Sequence, residues 1–374
     1  MRILIITGSM YNVNGGPFLS VRSMTQALLE AGHFVVVIGS KDNRLQSEKP
    51  EPYNRLTGKF QQLVVKALNK YGLYNYHFTP SLTSEIIKNG PYDLIFLQGI
   101  WMWNCWRTFI YGKIRKTFVI NSIRGEFNDK NSLSETKKKF IMPWIKFMLN
   151  RTNLIHVLND AESVVLQNYG INAPIAVIQN GIYLPDNVQL KTVPPKQVLF
   201  LGRLDPLKNV LNLVKAWKKL KPVGWRLVIA GGGNKKYEDE LKEMAGVSSN
   251  IIFVGPVDEI QKPDLFKNSA WFILPSFNEG MPMSVLEAAS YGIPSIITEE
   301  CNLQYLIESK AAIETKLEPA TIAESLEIAL GMSNFQWKEM SNNAIDCAKN
   351  KFSWKYVVEI LNQKINSINP KYKL

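Results

Sequence analysis

Short apolar runs along this chain alternate with longer segments in which apolar positions recur every three or four residues. The first run, Ile3 to Thr7, leads into a polar, Gly-rich loop over 9–17 and then an amphipathic stretch from Phe18 to Ala31 that Gly32 closes. Phe34 to Ile38 (FVVVI) is apolar throughout, as in strands buried on both faces of a parallel sheet. Asp93 to Gln98, Thr117 to Ser122, Asn153 to Leu158 and Ile175 to Ile178 predict further strands. A second alternation starts near Gln197. It predicts strands at Val198 to Gly202, Arg226 to Ala230, Ile251 to Val254, Trp271 to Leu274 and Ser295 to Thr298, with helices over 210–220, 237–245, 263–268 and 282–291. Between the two alternations, Tyr183 to Pro195 is polar and carries Pro185, Pro194 and Pro195, the composition of a linker. The pattern predicts an α/β chain of two tandem doubly wound parallel-sheet domains with a ligand cleft between them.

Composition agrees with this picture. A chain of 374 residues suits two domains, and 46% hydrophobic with 20% charged residues describes a globular protein. No run approaches 18 apolar residues, and the first apolar run is too short for a signal peptide, so neither a transmembrane helix nor a leader is expected. Cys105, Cys301 and Cys347 are scattered and give no metal spacing or disulfide framework, which fits a reducing cytoplasm.

Charge changes the picture more. The net +12 is uneven: residues 1–186 hold 21 Lys and Arg against 12 Asp and Glu, and most of the excess lies between Lys59 and Arg151. Such a patch suits nucleic acid, anionic lipid or a phosphorylated substrate. The segment Lys137 to Arg151 mixes lysines with Phe140, Trp144 and Phe147. It reads either as an in-plane membrane helix or as a core helix with a basic outer face, and Lys59 to His77 poses the same choice.

The chemistry concentrates in a few windows. Pro275 to Glu287 (PSFNEGMPMSVLE) follows a strand and opens a helix, with Pro282 suited to the first helical position. A helix N-terminus attracts phosphate, while Glu279 and Glu287 can accept bonds from sugar hydroxyls; an ordinary strand–loop–helix with solvated glutamates is the alternative. In Gly202 to Asn209 (GRLDPLKN), Arg203 and Lys208 can hold a diphosphate, and Asp205-Pro206 can turn the loop so that both cations face one point; two solvated surface cations are the alternative. Gly15 and Gly16 let backbone N–H groups approach a pyrophosphate; a ligand-free turn is the equal alternative. At Gly231 to Gly233 the third glycine of a dinucleotide fingerprint would fall on Lys236, so a tight turn is the better reading. His33, His77 and His156 have no metal-binding spacing, no D-x-D occurs, and no G-x-S-x-G elbow is present.

Together these windows resemble the retaining glycosyltransferases of family 4, which have the GT-B fold. The resemblance covers nearly the whole chain: the GG loop, Ile178 to Ile182 (IQNGI), G-R-x-x-x-x-K at 202–208, E-x₇-E at 279–287, and Phe352-Ser353-Trp354. It implies an acceptor-side domain over 1–186, a donor-binding domain over 187–351, and a last helix (352–374) that packs back on the first domain. By the same resemblance, Arg203 and Lys208 bind the diphosphate and stabilise the leaving group. Glu279 faces the transferred sugar, Glu287 holds the ribose, and Gly280, Met281 and Met283 lie beside the donor with Gly15 and Gly16. One departure stands out: where many members carry a histidine beside a glycine, this chain has Arg124, and a role with Glu126 in acceptor handling carries over weakly.

The implied function moves a hexose or N-acetylhexosamine from a nucleotide-diphosphate sugar, UDP favoured, to a glycan or polyprenyl-linked acceptor in bacterial surface-polysaccharide assembly. The implied reaction needs no metal or other cofactor. The expected partners are the donor, the acceptor and the inner face of the cytoplasmic membrane, reached peripherally through the basic N-terminal face, with no nucleic acid. A GT-B UDP-sugar epimerase and a non-catalytic GT-B scaffold are the alternatives.

Overall fold

The computed structural model describes residues 1–9, 16–41, 58–66, 78–124, 126–127, 135–186, 188, 191–247 and 250–372. The chain divides into two compact units, one of Met1–Gly181 with Trp354–Leu374, the other of Ile182–Ser353.

The first unit is built on seven parallel strands in the order β3-β2-β1-β4-β5-β6-β7. They are β1 (Arg2–Ser9), β2 (Phe34–Lys41), β3 (Phe60–Lys66), β4 (Leu94–Gln98), β5 (Phe118–Ser122), β6 (Leu154–Val157) and β7 (Ile175–Val177). Alternate residues of the central strands supply two cores. Ile3, Ile5, Val35, Val37, Phe96 and Ile120 pack on helix α1 (Gly16–Glu30) and on Trp354, Val357, Leu361 and Ile365 of α13 (Trp354–Ile368). Leu4, Ile6, Val36, Ile95 and Val119 face α2 (Leu82–Asn89), α3 (Trp103–Arg115) and α4 (Glu135–Arg151). Helix α5 (Asp160–Asn168) starts at Asn159, whose side chain accepts the N–H of Glu162.

Strand β3 falls within the segment read as either membrane helix or core helix. It pairs in parallel with β2 from Val35↔Phe60 to Lys41↔Lys66. As an edge strand it carries polar Gln61 and Gln62, so it lacks the apolar run that marks β2. Residues 67–77 of that segment lie outside the described residues.

The second unit has six parallel strands in the order β10-β9-β8-β11-β12-β13. They are β8 (Gln197–Leu201), β9 (Arg226–Ala230), β10 (Ile251–Gly255), β11 (Trp271–Leu274), β12 (Ser295–Thr298) and β13 (Ala312–Thr315). Helices α6 (Val210–Leu220), α7 (Lys235–Ala245), α8 (Lys262–Lys267), α9 (Met283–Ser290), α10 (Gln304–Glu308), α11 (Pro319–Gly331) and α12 (Asn334–Lys351) join or flank them. Both sheets reverse direction of growth beside their first strand, between β1 and β4 and between β8 and β11. In open α/β sheets that switch point, at the carboxyl ends of the strands, is where ligands bind.

Candidate functional site

In the second unit the loops leaving β8 and β11 emerge side by side at the switch point, and the backbone joins them: Phe277 N–H donates to Leu207 O at 2.8 Å. Asp205 caps the short turn Pro206–Lys208 by accepting the N–H of Leu207. Asn209 follows in the left-handed region (φ 59°) and ties the turn to Leu317 O at 2.8 Å. The turn aims Lys208 at Glu279, with which it forms a hydrogen-bonded ion pair. Ser276, fully buried, donates to the same carboxylate oxygen of Glu279 at 2.7 Å.

Glu279 is fixed from behind as well. Its N–H donates to Glu300 O (3.0 Å) and its carbonyl accepts from Asn302 Nδ2 (2.6 Å). Thr298 Oγ1 donates to Ser276 O at 2.8 Å. A carboxylate with a locked backbone and two side-chain donors is preorganised for a ligand that approaches its free edge.

Helix α9 begins one residue later than the sequence suggests. Pro282 is its N-cap, in an extended conformation (ψ 113°), with no side-chain cap bond, and its carbonyl accepts the N–H of Val285. Proline suits either place because it has no N–H to leave unsatisfied. Gly280 and buried Met281 form the approach to the helix, and Met283 is its first residue. The helix start therefore faces the Glu279 loop with its positive dipole end uncapped by a side chain.

The other charged residues singled out in the second unit, Arg203 and Glu287, form ion pairs of their own. Arg203 is exposed and lies 3.3 Å from Asp205, a pairing that the Asp-Pro reading does not include. The reason is local: the Asp205 carboxylate both caps the turn and attracts the guanidinium. Glu287 lies 3.4 Å from Lys262, which also bonds Glu259 at 2.8 Å. Burial pushes the Glu287 carboxyl upward, while Lys262 pulls it down. For Lys262, burial disfavours the charged ammonium, yet its pairing with Glu287 and Glu259 outweighs this and raises its pKa. Lys262 had no motif to announce it; only the fold carries it to Glu287.

The triple glycine has a structural explanation. Residue Gly231 (φ 137°) passes so close to the β8 loop that a Cβ would sit 1.8 Å from Gly202 O, and one at Gly233 would sit 1.9 Å from Leu204 O. Leu204 and Gly233 form a parallel bridge there, and Leu204 N–H donates to Gly232 O at 2.9 Å. The glycines thus seat the Arg203 loop against β9.

In the first unit, Gly16 opens α1 and Gly15 lies outside the described residues. Arg124 sits in the left-handed region (φ 53°) just past β5 and is tied in three directions. Its Nε donates to Gln98 Oε1 (2.5 Å), and its Nη1 donates to Ser20 Oγ (2.7 Å) and Asn180 Oδ1 (3.1 Å). Burial lowers its pKa to about 10, with Glu162 and Glu126 opposing the shift, so it stays charged at neutral pH. Glu126 accepts the N–H of Ile100 at 2.6 Å, and Glu162 accepts that of Leu158 at 3.0 Å. His156 completes the layer: Ser122 Oγ lies 2.9 Å from its Nδ1 and Ile178 O lies 2.7 Å from its Nε2. The carbonyl can only accept, so Nε2 carries the proton and Ser122 donates to Nδ1. Burial, reinforced by the Arg124 charge, lowers the His156 pKa to about 4.

Among the described residues, no group of three or more His, Cys, Asp and Glu side chains could hold a metal ion. No helix among them is long and apolar enough to cross a membrane.

Comparison with known proteins names this arrangement. The model for "Glycosyltransferase Family 4" matches residues 14–184, and that for "Glycosyl transferases group 1" matches residues 186–350. An uncharacterized glycosyltransferase of Haemophilus influenzae is 29% identical over 164 residues, covering 42% of this chain and 45% of that protein. The Escherichia coli protein named UDP-Gal:alpha-D-GlcNAc-diphosphoundecaprenol alpha-1,3-galactosyltransferase is 24% identical over 242 residues, 57% of this chain and 59% of that one. The chain thus spans about half the length of these curated relatives. The crystal structure of Anabaena Alr3699/HepE in complex with UDP-glucose superposes with a TM-score of 0.73 at 18% identity, covering 99% of this chain and 100% of that one. The two parallel-sheet units are those of a GT-B fold, and the chain belongs to glycosyltransferase family 4, group 1.

Proposed function

We propose that this chain transfers a hexose or N-acetylhexosamine, with retention at the anomeric carbon, from a UDP-sugar to a polyprenyl-diphosphate-linked glycan in bacterial surface-polysaccharide assembly. The observation that carries the reading is the cluster of Lys208, Ser276 and Glu279 at the β8–β11 switch point, beside the uncapped start of α9. The relative named for a diphosphoundecaprenol acceptor and the neighbour bound to UDP-glucose support the choice of acceptor and donor.

In this reading the second unit binds the donor and the first, with α13, handles the acceptor. The bond from the anomeric carbon to the diphosphate oxygen breaks, and the diphosphate leaves with the electron pair. Lys208, Arg203 and the α9 N-terminus meet its growing negative charge, where preorganised positive groups contribute most. Glu279 accepts hydroxyl bonds from the sugar, with Gly280, Met281 and Met283 alongside, and Glu287 accepts them from the ribose. The acceptor oxygen forms the new bond on the same face, and its proton passes to the departing diphosphate oxygen. Gly15 and Gly16 adjoin the diphosphate, and Arg124 with Glu126 shapes the acceptor side. The chain works on the cytoplasmic side of the inner membrane, in peripheral contact through its basic N-terminal unit.

The test is a panel of UDP- and GDP-sugars incubated with and without a polyprenyl-diphosphate-linked N-acetylglucosamine. Extension of the lipid with a UDP-sugar is expected. An altered UDP-sugar released without acceptor would instead make the chain an epimerase, and no turnover of any donor would leave it a scaffold.

A further inference from the structure

We propose that the outer face of α3 and α4 is a docking surface for an anionic lipid bilayer, with Phe140, Trp144 and Phe147 seated among the headgroups. The proposal rests on the lipid-linked acceptor given above and specifies which surface meets the membrane.

Helix α4 carries two apolar stripes. The inner one, Ile145, Met148 and Leu149, is fully buried in the core of the first unit. The outer one, Phe140, Trp144 and Phe147, recurs at helical spacing and is 80%, 65% and 45% exposed. A helix that buries one face needs no second apolar face in order to fold. Helix α3 continues the patch with Ile110 and Ile114, both exposed. The Trp106 and Trp144 rings meet edge-on, their centroids 6.3 Å apart, and join the two helices.

Charge identifies the occupant. Residues 94–125 contain no Asp or Glu but include Arg107, Lys113, Arg115 and Lys116; residues 136–159 also lack acids and include Lys146 and Arg151. Lys113 Nζ donates to Arg151 O at 2.9 Å, which brings the basic ends of the two helices together. The Arg151 guanidinium lies 4.0 Å above the Phe147 ring. An aromatic and aliphatic ridge bordered by cations, on helices poor in acids, matches a surface that is apolar below and negative above. Nucleic acid would make no use of an exposed Ile110–Ile114 stripe.

The test is co-sedimentation with vesicles of phosphatidylglycerol and phosphatidylcholine, against phosphatidylcholine alone, with neither donor nor acceptor present. Binding to the anionic vesicles that weakens with salt is expected, as is quenching by headgroup-proximal brominated lipid that falls in Trp144→Phe. The triple variant Phe140→Ser, Trp144→Ser, Phe147→Ser should bind at least about tenfold more weakly. Its thermal stabilisation by UDP should match the parent, which shows that the fold is intact. Equal vesicle binding by the triple variant, or none by the parent at low salt, overturns the proposal. So does a parent dimer in sedimentation velocity that the triple variant abolishes. Vesicle binding without any sugar transfer would sink the proposed function and leave this surface standing.

Discussion

The two sheets share one topology yet use the polar layer at their switch points differently. In the second unit, Lys208, Glu279, Glu287 and Lys262 are paired but keep part of each side chain open to solvent. In the first unit, Arg124 is spent on Gln98, Ser20 and Asn180 within its own unit. A charge paired but reachable can exchange its partner for a ligand. A charge consumed by internal acceptors holds the scaffold, because leaving those groups unpaired in a low-dielectric interior is costly. The contrast predicts that Arg124 is a positioning residue and that Lys208 meets substrate.

Substitutions can break that contrast. Lys208→Ala should lower sugar transfer about a thousandfold or more, as for the loss of a group that stabilises the leaving charge, with the fold retained by circular dichroism. Near-parental turnover would remove Lys208 from the site. Arg124→Met should instead cost about 3 kcal/mol of unfolding free energy, since it removes a donor from Gln98, Ser20 and Asn180 and the positive charge that faces Glu162 and Glu126, while UDP affinity stays unchanged. An unaltered melting temperature with lost turnover would mean that Arg124 touches substrate after all.

Stability against pH should report His156. Its folded pKa of about 4 lies below the ordinary value near 6.5, so the unfolded chain binds more protons between these values. The contribution is complete above about pH 6.5 and is lost as pH falls toward 4, by up to about 3 kcal/mol. His156→Gln should flatten that slope in denaturant titrations, and an unchanged slope would contradict the assignment.

Gly231→Ala should cost about 2 kcal/mol, because its Cβ meets Gly202 O, and should weaken UDP binding by displacing the Arg203 loop. A smaller effect is expected at Lys262→Met. Without the ammonium, burial raises the Glu287 carboxyl further, so donor affinity should fall away at a higher pH than in the parent. A pH profile that does not move would show that Lys262 leaves Glu287 untouched.

These two regions also differ in how much of them the sequence discloses. Lys208, Glu279 and Glu287 belong to short motifs whose turn chemistry is local: Asp205-Pro206 sets the first loop, and Gly280 with Pro282 sets the second. The apolar runs at β2, β4 and β11 were equally plain, since strands buried on both faces carry no polar interruption. The Arg124 network has no such signature, because Ser20 and Arg124 stand 104 positions apart and only the folded sheet brings them together. Lys262 reaches Glu287 across 25 positions for the same reason. Strand β3 was hidden by its edge position, where Gln61 and Gln62 replace apolar residues. The pairing of Arg203 with Asp205 was missed because one Asp side chain serves as both cap and counter-ion.

In the proposed function the donor is held by the loops after β8 and β11 and by Glu287 on α9. Calorimetric titration with UDP tests it most directly, in the parent, Lys208→Ala, Glu287→Gln and Arg124→Met. Affinity should fall at least about tenfold in the first two variants and stay at the parental value in the third. Parental UDP affinity in both Lys208→Ala and Glu287→Gln would contradict the account.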